Sequence, residues 1–421
     1  ENKVNPNKIA YLAFTNQAAD EALSRAISQL NYNTKDFMNF RTLHSLAYRE
    51  LHLKEDNIMN DNDYNFLSNK LQIKLSNPNQ SVKTYGTSFP DDIFMQVIDG
   101  AKIRGLTTEN FFNDPNTGHL PGGILKLKYI DEALIKYKRA RNKYDMTDMI
   151  VDFNQKHYDL MPNFDVVIID EAQDLSWLQW KMVERIITNA KRVYVAGDDD
   201  QAIYRWAGAR PEYLMNMEGT RTILNKSYRL SKLIHAKANN LIKRVKDRVD
   251  KEWTSRDEKG EVNIYPVEQL QKMKEGQWLI LARDGYRLDK LEEELKIYGY
   301  YFARGDRTSI NKRVQDAVLA WEDIRKGKML DIKRVKSFYN YIKTGTGVAK
   351  EHKAMKNVDK EKLFSFDTLT SEYGLKVSKD LPWFKALENI EDNKKTYVRM
   401  CLRRKENIRR APRIKLSTIH G

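Results

Sequence analysis

Asp170 and Glu171 follow directly on four apolar residues at 166–169, and Gln173 and Asp174 come two and three positions later. Carboxylates at the end of a buried strand cost free energy unless something meets them there. A second acidic group, Asp198, Asp199 and Asp200 followed by Gln201, succeeds the run RVYVA at 192–196. The chemistry that uses such a set is that of a hard cation with phosphate. One carboxylate holds Mg²⁺ through water, a second orients an attacking water, and an amide bonds the phosphate or the water. The plain alternative is that these acids cap helices and solvate loops, and Asp174 suits the cap of the helix that follows.

Short strands have to position these groups. The runs at 9–14 (IAYLAF) and 166–169 read as buried strands, and 192–196 as a third strand. Helical spacing of Ala18, Ala19, Ala22, Leu23, Ala26, Ile27 and Leu30 predicts a helix after the first, capped by Thr15 or Asn16. Leu178, Met182, Val183, Ile186 and Ile187 predict another over 175–190, joining the second strand to the third. Strand, helix, strand with short joints makes a parallel sheet, which binds ligands beyond the carboxyl ends of its strands. Beyond Arg221 the pattern recurs. A short strand is expected at 223–224, a helix over 227–245, a strand at 278–282 and a helix over 288–298.

The fold expected is therefore α/β, with two parallel-sheet domains. The first takes 1–45 and 144–220, the second 221–327 and 411–421. Two mainly helical stretches, 46–143 and 328–410, are read as insertions. The second ends in a run over 394–415 with ten Lys and Arg against Glu406. That run is either a solvated helix face or a contact for nucleic-acid backbone.

Length and charge narrow the class. A chain of 421 residues, 41% hydrophobic and 31% charged, exceeds one ordinary core and is globular. Lys+Arg 73 against Asp+Glu 58 gives +15, which suits a polyanionic partner. A single cysteine, Cys401, excludes a disulfide framework within the chain, and the seven histidines form no ligand cluster. No apolar run approaches the ~18 residues of a membrane span. The expected setting is cytoplasmic, in a bacterial or phage-infected cell.

The residues also carry a resemblance. DEAQD at 170–174 and GDDDQAIYRWAGA at 197–209 resemble the second and third motifs of superfamily 1 DNA helicases of the UvrD/Rep/PcrA type. In the family's order, LAFTNQAADE at 12–21, RTLHSLA at 41–47, YDMTDMI at 144–150, LNKSYRLSKLIHAKANNLI at 224–242 and LSTIHG at 416–421 resemble further motifs. The resemblance implies two RecA-like domains of the P-loop NTPase type that bind ATP and Mg²⁺. By that resemblance Asp170 holds the metal, Glu171 polarises the hydrolytic water and Gln201 senses the γ-phosphate. Asp198 lies at the nucleotide, Tyr228 stacks on adenine, and Arg229 is an arginine finger, a role suited to its planar, permanently charged fork. Phe14, Thr15, Asn16, Thr42, His44, Tyr204, Arg205, Trp206 and His420 are the implied DNA contacts. Aromatic and cationic side chains together are what single strands need. The implied partners are single-stranded DNA and single-strand/duplex junctions, with translocation 3′ to 5′, no membrane, and a monomer as isolated.

The sequence departs from that pattern. No G-x-x-x-x-G-K-[ST] occurs in the 421 residues. Ala207 stands where the family commonly has Arg after the Trp, and Arg205 precedes it. The expectation is a piece of a longer helicase that hydrolyses ATP poorly alone. A non-catalytic helicase-like DNA-binding module, or a subunit of a helicase–nuclease, are the rival expectations.

Overall fold

The computed structural model describes residues 4–30, 32–75, 77, 93–113, 122–157, 161–266, 270, 273, 275–355, 358–359 and 361–419. They form two compact units, one up to Asn263 and the other from Ile264 onward. The sequence reading opens its second domain at Arg221, whereas 221–263 makes its contacts within the first unit.

The first unit is built on a four-stranded sheet in the order β2-β1-β3-β4, with β1 Ile9–Ala13, β2 Phe40–Thr42, β3 Val166–Ile169 and β4 Arg192–Val195. Every pairing is parallel, as the βαβ pattern predicts, with Tyr11 opposite Phe40, Tyr11 opposite Ile168 and Val167 opposite Val193. Alternation puts Ala10, Leu12, Val167 and Ile169 in the core. β4 is one of the two edge strands, and its Val193 and Tyr194 are exposed.

Among the described residues, the helices of eight or more residues are α1 Asn16–Leu30, α2 Leu43–Glu50, α3 Asp61–Leu71, α4 Ile93–Arg104, α5 Gly123–Arg141, α6 Met146–Gln155, α7 Trp177–Ile187 and α8 Lys232–Ile242. Thr15 caps α1, accepting from the Ala18 N–H at 3.2 Å. Helix α7 starts later than its periodicity suggests. Ser176 and Gln179 form a capping box there, so Asp174 is not its cap. The helices between β2 and β3 have a core of their own, in which Tyr64, Leu67, Val97, Ile98, Leu127, Ile130 and Leu134 from α3, α4 and α5 pack together. The strand expected at 223–224 is absent. That stretch is irregular, tied by an isolated bridge between Lys226 and Thr254.

In the second unit β5 Trp278–Ala282, β6 Phe302–Arg304, β7 Arg307–Thr308 and β8 Ile414–Thr418 form a sheet in the order β5-β8-β6-β7. β8 runs parallel to both β5 and β6, and the short β7 is antiparallel to β6. Helix α9, Gly285–Ile297, covers it with Leu288 and Leu295. The larger core is helical. Trp321 of α10 (Lys312–Arg325), Phe338 and Tyr339 of α11 (Ile332–Tyr339), Phe364, Trp383, and Val398 and Cys401 of α12 (Asp392–Arg403) are all buried in it.

The basic run 394–415 is largely committed to this unit. Arg409 pairs with Asp323 at 2.7 Å and Arg413 with Glu406 at 2.8 Å. Arg404 lies 3.8 Å from the centre of the Tyr300 ring, and Arg399 lies 4.3 Å from that of Phe384. Among the described residues no helix is long and apolar enough to cross a membrane.

Candidate nucleotide and nucleic-acid site

Both acidic groups of the first unit stand at the carboxyl ends of neighbouring parallel strands, β3 and β4. The Asp170 N–H continues the ladder to the Leu12 carbonyl at 3.0 Å. Its carboxylate is held on two sides. The Tyr11 hydroxyl, reaching over from β1, donates to Oδ2, and the Glu171 N–H donates to Oδ1 at 3.0 Å. Burial, and then the Asp170 carboxylate, push the Tyr11 hydroxyl well above the usual phenol range, so it stays a donor.

Glu171 sits in the left-handed region at φ 52°, a costly conformation for a residue with a Cβ. Strain of this kind, about 1–3 kcal/mol, persists only where the surroundings enforce it. Here the next N–H, that of Ala172, is fixed to the Ala196 carbonyl at 3.0 Å. The Glu171 carboxylate in turn accepts from Gln173 Nε2 at 2.8 Å. Gln173 is 1% exposed, and its Oε1 accepts the Asp198 N–H at 3.0 Å. A single buried carboxamide thus bridges the end of β3 to the loop after β4. Gly197 makes room for it, since a Cβ at that position would lie 2.7 Å from Gln173 Oε1. Asp174, beside this bridge, is pushed up to about 7, first by burial and then by the Glu171 charge.

The loop at 198–201 turns its acids elsewhere. Asp198 accepts from Gln201 Nε2 at 2.7 Å and from Lys251 Nζ at 2.6 Å. Arg248 grips Asp200 with Nε and Nη2, both at 2.8 Å. Lys251 also pairs with Asp199 and, at 3.1 Å, with Asp200. The acids of the two strand ends therefore do not share one environment. Asp198, Asp199 and Asp200 are neutralised by protein cations. Among the described residues, Asp170 and Glu171 meet neutral donors alone, in Tyr11, the backbone and Gln173.

That difference bears on a metal. Among the described residues no group of three or more His, Cys, Asp or Glu side chains could hold one by itself. Mg²⁺ does not require such a cage. It keeps several waters and takes one or two carboxylates together with substrate phosphates. The uncompensated Asp170–Glu171 pair fits that donor set.

Past Gln201 the ring of Tyr204 packs on Phe14, with centroids 5.5 Å apart and planes tilted by 37°. Thr15 and Asn16 are exposed beside Phe14, and Trp206 is 52% exposed. The Trp206 carbonyl accepts from Arg104 Nη2 at 2.6 Å, so the ring projects from an anchored backbone. Arg205 is exposed and paired with Glu212.

Thr42 and His44 are placed differently. Thr42 is buried and caps α2, accepting the Ser45 N–H at 3.2 Å. His44 keeps some exposure, yet the protein packed round its ring pushes the imidazole down to about 4. It is neutral near pH 7 and can offer a ligand a hydrogen bond but no charge. Tyr228 is 79% exposed and Arg229 is exposed beside it, on a turn where the Ser227 hydroxyl accepts the N–H groups of Arg229 and Leu230. His420 lies outside the described residues.

Sequence reasoning missed Tyr11, Arg248 and Lys251. Gln173 and Gly197 belong to the motifs at 170–174 and 197–209, but nothing local signals that they meet. Alternation along β1 was the available signal for Tyr11, a polar-tipped ring two residues before the strand ends. For Arg248 and Lys251, 48 or more residues from their partners, no local pattern existed.

Comparison with known proteins bears on the same residues. Residues 1–222 match the family of the UvrD/REP helicase N-terminal domain. A probable DNA helicase II homolog of Rickettsia conorii is 28% identical over 282 residues, which is 63% of this chain and 42% of the relative. The ATP-dependent DNA helicase PcrA of Bacillus subtilis is 26% identical over 284 residues, 63% of this chain and 37% of the relative. DNA helicase II of Escherichia coli is 26% identical over 283 residues, 62% and 37%. The matched part thus spans 37–42% of the length of these curated relatives.

Proposed function

This chain belongs to the UvrD/REP helicase family, and from that premise we propose that it is the part of an ATP-driven DNA helicase that orients the hydrolytic water and grips single-stranded DNA. The observation that carries the reading is the bridge through Gln173, which ties Glu171 to the backbone of the loop bearing Gln201 and, beyond it, Tyr204 and Trp206. A group that polarises water is thereby joined to a group placed to sense phosphate and to a base-stacking platform.

Asp170 would hold Mg²⁺, whose charge neutralises the phosphates when it is bound. Tyr11 fixes the rotamer of Asp170 by donating to Oδ2. Glu171, held in its left-handed conformation, presents its carboxylate to water as a general base. Gln201 offers an amide to the phosphate, with Asp198 beside it at the nucleotide. Tyr228 supplies an exposed ring for the adenine, and Arg229 an exposed guanidinium for transition-state charge. Phe14, Tyr204 and Trp206 supply ring faces for bases, with Thr15, Asn16 and Arg205 toward the strand. Thr42 acts from behind by capping α2, and the neutral His44 contributes a hydrogen bond. Family membership adds 3′-to-5′ movement, action at single-strand/duplex junctions and a monomeric state to the proposal.

The test is single-strand-stimulated ATP turnover by a polypeptide that includes a G-x-x-x-x-G-K-[ST] sequence, which these 421 residues lack. The expected results are stimulation by DNA and a 10²- to 10⁴-fold fall in kcat for Glu171→Gln, the range of a general base. Turnover unchanged in that variant would refute the assignment.

A further inference from the structure

The contacts of Arg248 and Lys251 lead past the acidic loop. The stretch that carries them folds back on the one that carries Tyr228 and Arg229. The Ser227 N–H donates to the Thr254 carbonyl at 2.8 Å, the Thr254 N–H to the Asn225 carbonyl at 2.8 Å, and the Arg256 N–H to the Leu230 carbonyl at 3.0 Å. Trp253 closes the same fold, its ring 4.0 Å from that of His235 on α8. Just before it, the Val249 N–H donates to Asp199 Oδ2 at 2.8 Å, and Arg248 and Lys251 hold all three acids of the loop. Four of these ions are mostly buried, with side-chain exposure of 13% for Arg248 and for Asp200, 15% for Lys251 and 6% for Asp199, while Asp198 is 37% exposed.

We infer that Arg248 and Lys251 are positioning residues that make the 198–201 loop and the Tyr228–Arg229 turn move as one piece. The two-pronged Arg248–Asp200 contact fixes orientation as well as distance, which a single-point contact does not. Lys251, shared among three carboxylates, prevents any one of them from turning away alone. Removing both cations leaves the carboxylates of Asp199 and Asp200 buried without a counter-charge, so the loop must open to water rather than relax in place. Burial works to raise the Asp200 carboxyl, and Arg248 and Lys251 override it and hold it low, in keeping with the geometry. The coupling runs through a continuous set of packed and hydrogen-bonded groups. Its meaning for catalysis rests on the helicase reading, because it joins the proposed phosphate sensor to the proposed adenine and arginine contacts.

Hydrogen exchange of the 421-residue chain, without nucleotide or DNA, tests the link. In Arg248→Gln/Lys251→Gln, amides of both 197–203 and 225–231 should exchange at least tenfold faster, with α6 and α7 unchanged. The control Arg256→Gln breaks an exposed pair with Glu258 and should leave both segments as they are. Acceleration confined to 197–203, or absent from both, overturns the inference. Should the double variant lose its fold, the exchanged pair Asp200→Arg/Arg248→Asp decides. Protection restored in both segments supports the link, and protection restored in neither or in one overturns it. Failure of the helicase reading would show instead as absent DNA-stimulated turnover with this exchange behaviour intact.

Discussion

Gln173→Ala isolates the bridge at the centre of the site. The side chain is 1% exposed and makes two good hydrogen bonds, one to the Glu171 carboxylate at 2.8 Å and one from the Asp198 N–H at 3.0 Å. A hydrogen bond to a charged group contributes about 1.5–3 kcal/mol and a neutral one about 1 kcal/mol. The Glu171 carboxylate is exposed and regains water in the variant, which lowers the sum. The Asp198 N–H is only part-buried and recovers some solvation as well. What remains is about 2–3 kcal/mol, drawn from the first unit. For a unit of that size, each kcal/mol moves Tm by about 2–4 °C, so a fall of about 4–12 °C is expected by calorimetry of the 421-residue chain. The same change removes one restraint on the left-handed Glu171. In a polypeptide that hydrolyses ATP, kcat should fall at least tenfold, with KM for ATP altered less than threefold. A Tm shift below about 1 °C would show that the bridge contributes nothing, and with it would go the argument that Gln173 joins the two strand ends.

Other perturbations test separate parts of the structure. Asp323→Asn breaks a cluster in which a carboxylate with 3% side-chain exposure meets Arg409, Arg334 and Lys328. The cations are 38–61% exposed and rehydrate, so the second unit should lose about 2–3 kcal/mol, read as a lower melting transition. Burial opposes ionisation of Asp323, but its cations hold the carboxyl far below the ordinary range. That stabilisation is present above the unfolded-state value near 4 and is lost as pH falls below it, so the variant should flatten the acid limb of a stability–pH curve. His44 has a sensitivity of the same sign at higher pH. Its folded value of about 4 lies under the ordinary 6.5, so stability falls as pH drops from 6.5 toward 4, by about 3 kcal/mol in all. His44→Gln should abolish that slope in pH-dependent urea unfolding. Trp206→Ala should weaken binding of a fluorescent single-stranded oligonucleotide roughly 5- to 150-fold, the worth of one stacked base. Unchanged anisotropy titrations would remove Trp206 from the interface.

The sequence by itself determined the scaffold of the first unit and the location of its chemistry. The runs that become β1, β3 and β4 read as strands from their short apolar character, and each run stops where polar residues or glycine begin, so strand ends and acid positions were legible together. Periodicity likewise placed α1, α7 and α9. These signals are local, carried by neighbours two to four residues apart. Only the tertiary structure decided which partner each charge takes. It gave Asp198, Asp199 and Asp200 to Arg248 and Lys251, Asp170 to Tyr11, and much of the basic run 394–415 to acids and rings of its own unit. It also turned Thr42 inward as a cap and left 223–224 without a strand. The physical reason is the range of the interaction. A strand or helix is selected by hydrogen bonds and burial among near neighbours, whereas an ion pair across 48 residues forms only after loops have closed, and many alternative pairings look equal in the unfolded chain.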